Sequence, residues 1–216
     1  MTVMGSTTEL ELELEVSPRA PRANLPQRAG KLLWAPMLAM ALMAFPVALL
    51  LGFVRSAAVG DGTDPAAIAA LGHFGPAFMF IGFASVFAAI SFAIARILGV
   101  FRVGGGQVQE TADRSVKTLK MPVTAKVFLG LMLIAMMAIL LPVIAHVAIG
   151  LAILGGSADA LADSETWFSW LEGVRRIGTA TFLLAIAFGL ATIIEVLRFG
   201  ASRLLELPAE ARLTAR

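Results

Sequence analysis

The chain contains no cysteine and no tyrosine. The first absence excludes disulfides, thiolate zinc sites, cysteine-ligated iron–sulfur clusters and thioether attachment of haem. The second removes tyrosyl chemistry. Charge is also scarce: Asp, Glu, Lys and Arg make up 15% of the residues, against about 25% in a typical soluble chain. Histidine occurs only twice, as His73 and His146. There is no Ser/His/Asp set, no pair of carboxylates inside an apolar stretch and no nucleotide-binding fingerprint. No catalytic activity of its own is therefore expected, and nothing in the pattern calls for a nucleic acid.

Apolar sequence is abundant, at 58% of the residues and a mean hydropathy of +0.85. Four apolar stretches stand out, at about residues 32–54, 66–95, 127–154 and 177–197. Each is long enough to cross a hydrocarbon core of about 30 Å. The expected fold class is all-α, a polytopic membrane protein built as a four-helix transmembrane bundle over residues 31–203. A polar, disordered tail is expected at residues 1–30 and a short one at 204–216. The first stretch exceeds the roughly 7–15 apolar residues of a signal-peptide core, so it is read as a retained helix.

Basic residues orient the bundle. Arg19, Arg22, Arg28 and Lys31 precede the first stretch, Arg102, Arg114, Lys117, Lys120 and Lys126 lie between the second and third, and Arg198, Arg203, Arg212 and Arg216 follow the fourth. The other two loops carry Asp61, Asp64, Asp159, Asp163, Glu165 and Glu172. The excess of Lys and Arg on one side predicts that both termini are cytoplasmic. The expected location is a bacterial cytoplasmic (inner) membrane.

Three segments outside the spans have a pattern of their own. Thr8–Val16 alternates glutamate with leucine or valine, a strand period that an isolated segment cannot sustain; disorder, or addition to the sheet edge of a partner, is expected. After the Gly104-Gly105-Gly106 hinge, Val108, Ala112, Val116 and Leu119 recur at helical spacing, which predicts an amphipathic helix over 107–120 on the membrane or on a partner. Leu161, Trp167, Phe168, Leu171 and Val174 predict a segment lying flat on the outer membrane surface. The two halves of the chain also share short apolar motifs, around Lys31 and Lys126 and from Gly75 and Gly178, compatible with a parallel internal duplication.

Within the spans, the chemistry rests on His73 and His146. Counted along their helices, both lie about 10–12 Å from the outer ends, at matched depth. Small residues accompany them: Gly72, Gly75, Ala77 and Ala84 near His73, and Gly150 one turn from His146. Two opposed imidazoles in an apolar pocket are what a bis-histidine haem b requires, with Arg175 and Arg176 as cations for its propionates. Pro142, one turn before His146, leaves a carbonyl free and lets the helix bend. The plainer alternative is that the imidazoles hydrogen-bond neighbouring helices. Met37, Met40 and Met43, with Met132, Met136 and Met137, suit either a copper path or adaptable packing. Glu195 is expected to pair with Arg198 one turn on.

Two functions follow. One is a non-catalytic integral membrane subunit of a larger complex, with a structural or assembly role. It would meet the lipid bilayer and other membrane subunits through the 104–120 loop, the 157–174 segment and the N-terminal tail. The alternative is a cytochrome b-like electron-transfer or quinone-linked anchor, with His73 and His146 as iron ligands and Arg175 and Arg176 beside the haem.

Overall fold

A computed structural model describes residues 14–112 and 115–214, with side chains through Glu206. Four helices, each long and apolar enough to cross a membrane, dominate it. They are α1 (Leu25–Gly60), α2 (Pro65–Thr111), α3 (Val123–Leu154) and α5 (Ser164–Thr214), with a short α4 (Ala158–Ala162) before the last. In hydrocarbon every backbone N–H and C=O must be paired within its own segment, and uninterrupted helices do this.

The helix ends follow local chemistry. Asn24 caps α1 through a reciprocal box with Gln27, and Pro26 occupies the first turn, where its missing N–H costs nothing. Asp64 caps α2 by accepting from the Ala66 N–H at 3.2 Å, with Pro65 in the first turn. Between α1 and α2 the chain turns at Gly62 (φ 65°), and after α3 at Gly156 (φ 84°); both lie in the left-handed region that favours glycine. α3 runs unbroken through Pro142, which is buried in it.

The helices overrun the apolar stretches. α2 has 47 residues and α5 has 51, so they are roughly 70 Å and 77 Å long at 1.5 Å per residue, well beyond a core of about 30 Å. This changes four sequence expectations. The residues near 107–120 do not form a separate amphipathic helix: α2 continues through Gly104-Gly105-Gly106 to Thr111, and Val116–Leu119 is a strand, β2. Within the N-terminal tail, Leu14–Ser17 forms a strand, β1, that pairs antiparallel with β2, Leu14 opposite Leu119 and Val16 opposite Lys117. The sheet edge that completes β1 thus belongs to the same chain; the rest of the alternating segment lies outside the described residues. From Ser164 onward the outer segment is the first part of α5, continuous with the span, and at the other end α5 extends through the expected C-terminal tail to Thr214.

The helices pack as two hairpins, α1 on α2 and α3 on α5, joined through α2, which also touches α3 and α5. The central core holds Phe80, Phe87, Ala135, Ile139, Val143 and Phe182. Phe87 and Phe182 stack with ring centroids 4.6 Å apart. A second cluster, Ile94, Phe128 and Ala185, lies toward the terminal end. Small residues set the helix separations. A Cβ at Gly30 would stand 2.6 Å from the carbonyl oxygen of Phe92, and one at Gly82 would stand 2.7 Å from the Phe45 ring. At Gly30 the obstacle is backbone and cannot rotate away.

Gly30→Leu must therefore push α1 off α2. It is expected to destabilise the fold by about 1–3 kcal/mol, the usual cost of overpacking. Thermal unfolding followed by circular dichroism in detergent checks this; an unchanged midpoint would show that α1 does not depend on this close approach.

Candidate functional site

His73 stands eight residues into α2 and His146 eight residues before the end of α3. At 1.5 Å per residue each is about 12 Å from its helix end. Because the helices are antiparallel neighbours, the imidazoles meet. Their Nδ1 atoms are 2.8 Å apart and hydrogen-bonded, and the residues are 2% and 1% exposed. A neutral pair can bond this way only if one ring carries its proton on Nδ1 and the other on Nε2. Each imidazole thus satisfies a polar atom of the other inside an apolar bundle, where an unmet one would be costly.

Aromatic rings enclose the pair. Phe168, from the first turns of α5, sets its ring edge-on to both imidazoles, at centroid distances of 6.4 Å to His73 and 5.8 Å to His146. Phe80, two turns along α2, lies 5.4 Å from His146. Of the glycines beside the histidines, Gly150 and Gly72 are met by neighbours, whereas a Cβ at Gly75 would meet nothing within 4 Å. A Cβ at Gly150 would meet the Phe74 ring at 2.9 Å, and one at Gly72 would meet the Arg55 guanidinium at 3.4 Å.

A haem does not fit between these histidines as they stand. Two axial nitrogens at about 2 Å from one iron lie about 4 Å apart with a macrocycle between them. Here the nitrogens are at hydrogen-bond distance, and Phe74, Phe80 and Phe168 occupy the flanks. Among the described residues no group of three or more His, Asp or Glu could hold a metal ion. The two histidines expected as metal ligands are brought together, but each is the other's partner.

Arg175 and Arg176 are engaged as well. Both donate to Glu172, Arg175 through Nε at 2.7 Å and through a second, close contact, and Arg176 through Nε at 3.0 Å. The Arg175 guanidinium also lies 5.3 Å from the centre of the Phe80 ring, an arrangement that attracts a cation to a π face. Glu172 precedes the apolar stretch of α5. Hydrogen bonds from Arg175, reinforced by Arg176, hold its carboxyl well below its ordinary value of 4.5, at about 2. The cations proposed for propionates thus already have a carboxylate.

Sequence reasoning did not single out Glu172, Phe168, Phe80 or Arg55 as members of this site. Glu172 had a readable signal, its spacing of three and four residues from Arg175 and Arg176. Phe168 had none, since an interfacial ring and a ring folded over the histidines look alike in sequence. Elsewhere, Glu195 accepts a hydrogen bond from Thr124 of α3 at 2.9 Å, a partner on another helix. Met132 packs against both core clusters and accepts a hydrogen bond from Ser91, whereas Met40, Met43 and Met137 are exposed.

No family model, curated protein or solved structure matches this chain.

Two outcomes are expected. In a double-mutant cycle of His73→Ala and His146→Ala, the coupling energy should be about 0.6 kcal/mol and no more than ~1.7 kcal/mol, the mean and maximum for interhelical hydrogen bonds in a membrane. Additive losses would show that the bond holds nothing together. Glu172, whose value in the folded chain is depressed to about 2 from 4.5, stabilises the fold fully above its ordinary value and loses that effect as pH falls toward about 2. Glu172→Gln should therefore be less stable than the wild type at pH 6, with the gap closing between about pH 4.5 and pH 2. Melting curves across this range decide it.

Proposed function

We propose that this chain is a non-catalytic integral membrane subunit with a structural or assembly role in a larger membrane complex. The observation that carries the reading is the closed His73–His146 pair. The two side chains best suited to chemistry within the spans spend their facing nitrogens on each other. They join α2 to α3 and so connect the two hairpins. Such a bond is worth more as interhelical glue than as a reactive centre.

The exposed surface supports the same reading. In the apolar part of α1, 17% of the residues are buried, against 50% in α2. Leu42, Met43, Leu49, Leu50 and Phe53 of α1 are exposed, as are Leu133, Ile134, Leu141 and Ile144 of α3. Lipid tails cover part of such faces, and helices of a neighbouring subunit cover the rest. The bias of Lys and Arg supports a cytoplasmic side for both termini, and the reading places the chain in a bacterial inner membrane.

The test is extraction in mild detergent through an affinity tag, with stoichiometry by mass spectrometry and size by native electrophoresis. The expected result is a particle larger than the 22.7 kDa chain, with a membrane protein present in fixed ratio. A lone chain or a homo-oligomer would overturn the subunit role. A reduced-minus-oxidised spectrum of a haem-supplied preparation should show no α band. A bis-histidine spectrum lost in both His73→Ala and His146→Ala would replace this reading with electron transfer.

A further inference from the structure

At the end of the bundle that carries both termini, the helices and β2 line an open cavity of about 910 Å³. Its inner wall is apolar, formed among others by Leu98, Phe128, Leu129 and Val196, residues in or beside the membrane-spanning stretches. Its outer wall is β2 and the projecting ends of α2 and α5, beyond those stretches. There the character changes: among the described residues Arg102, Lys117, Lys120 and Arg203 line the cavity, with Glu15 as the one acidic lining residue. The cavity thus crosses the level where hydrocarbon gives way to headgroups.

The polar wall is built, not merely charged. Gln109, 5% exposed, donates from Nε2 to the carbonyl oxygen of Lys117 at 3.1 Å and accepts from the Lys117 N–H at 3.0 Å. It satisfies the edge of β2 that β1 does not cover. Arg203, itself buried, donates to Gln109 Oε1 at 3.3 Å and to Glu206, which ties α5 to the same strand. Arg102 is different. Its guanidinium lies 3.8 Å from the Glu15 carboxylate, and its Nε is buried without a hydrogen-bond partner among the described residues. A buried N–H donor of a cation, left unpaired beside an apolar cavity, is where an anionic oxygen would bind.

We infer that this cavity binds an anionic phospholipid, with an acyl chain against the apolar wall and the phosphate between Arg102, Lys117 and Lys120. A free anion would leave the apolar wall unfilled, and a zwitterionic lipid would bring a headgroup cation along with its phosphate among Arg102, Lys117 and Lys120. Basic pockets between transmembrane helices at the level of the headgroups bind anionic lipids for this reason. The inference rests on the membrane placement in the reading above but not on the subunit role.

The purified full chain, delipidated in detergent, is titrated with phosphatidylglycerol, phosphatidylcholine or inorganic phosphate and followed by native mass spectrometry and melting temperature. Phosphatidylglycerol should bind about tenfold or more tightly than phosphatidylcholine, since each cation near the headgroup adds to the attraction, and the preference should shrink in high salt. The double variant Lys117→Gln/Lys120→Gln should bring the two lipids to near equality. Gly104→Leu should weaken both lipids by filling the cavity; Gly104 lines it, and a Cβ there meets nothing within 4 Å. Arg176→Gln, at the opposite end, should leave the preference between the two lipids unchanged. Equal wild-type binding of the two lipids overturns the inference without need of any variant. So does full stabilisation by inorganic phosphate alone, which would make this a site for free anions. Because the isolated chain is tested, failure here is separate from failure to find a partner subunit.

Discussion

The architecture depends on how closely three helices can approach α2. Lipid tails are as apolar as leucine, so helices in a bilayer gain little by hiding apolar side chains from them; they associate by fit and by hydrogen bonds. Along α2, Ala77, Ala84 and Ala88 are buried, and Gly82 admits the Phe45 ring of α1. A row of small residues on one helix lets α1 lie on one side and α3 and α5 on the other. The aromatic stack of Phe87 on Phe182 then fills the centre.

The histidine pair is a consequence of that approach. Where α2 and α3 run close, two imidazoles of moderate reach can touch directly, and the apolar surroundings favour a bond made between them. Greater separation would have left a gap between the rings, of the kind a cofactor occupies. Phe168 and Phe80 then close the space from α5 and α2, and Arg175, clasped by Glu172, lies over Phe80. The end of the bundle away from the two termini is thereby sealed by rings and an internal ion pair.

The opposite end is held differently. There α2 and α5 extend past the apolar stretches, and β1 with β2 joins the segment before α1 to the segment before α3. Gln109 bonds to both backbone groups of Lys117 as a neighbouring strand would, and Arg203 adds α5 to the assembly. Ala20 donates to Glu110, and the Arg96 guanidinium lies 5.6 Å from the Trp34 ring centre, so α1 is anchored to α2 at that end as well. One end is closed by aromatic packing; the other is braced by polar contacts around a cavity.

Much of this was legible in the amino-acid order. Length and apolarity determined four helices able to span a membrane, because a long run without charge in hydrocarbon has no other way to pair its backbone. Counting turns also placed His73 and His146 at one depth, since helix rise is constant. What only the tertiary structure decided was how near the two imidazoles lie and what surrounds them. The space beside Gly150 and Gly72 could have been left for a macrocycle; instead Phe74 and Arg55 from elsewhere in the chain fill it. Helical spacing over 107–120 pointed to a helix, yet Val116–Leu119 became a strand because β1, about a hundred residues earlier, supplies its ladder. Local periodicity reports what a segment prefers alone; the partner that arrives from a distant part of the chain decides what it becomes.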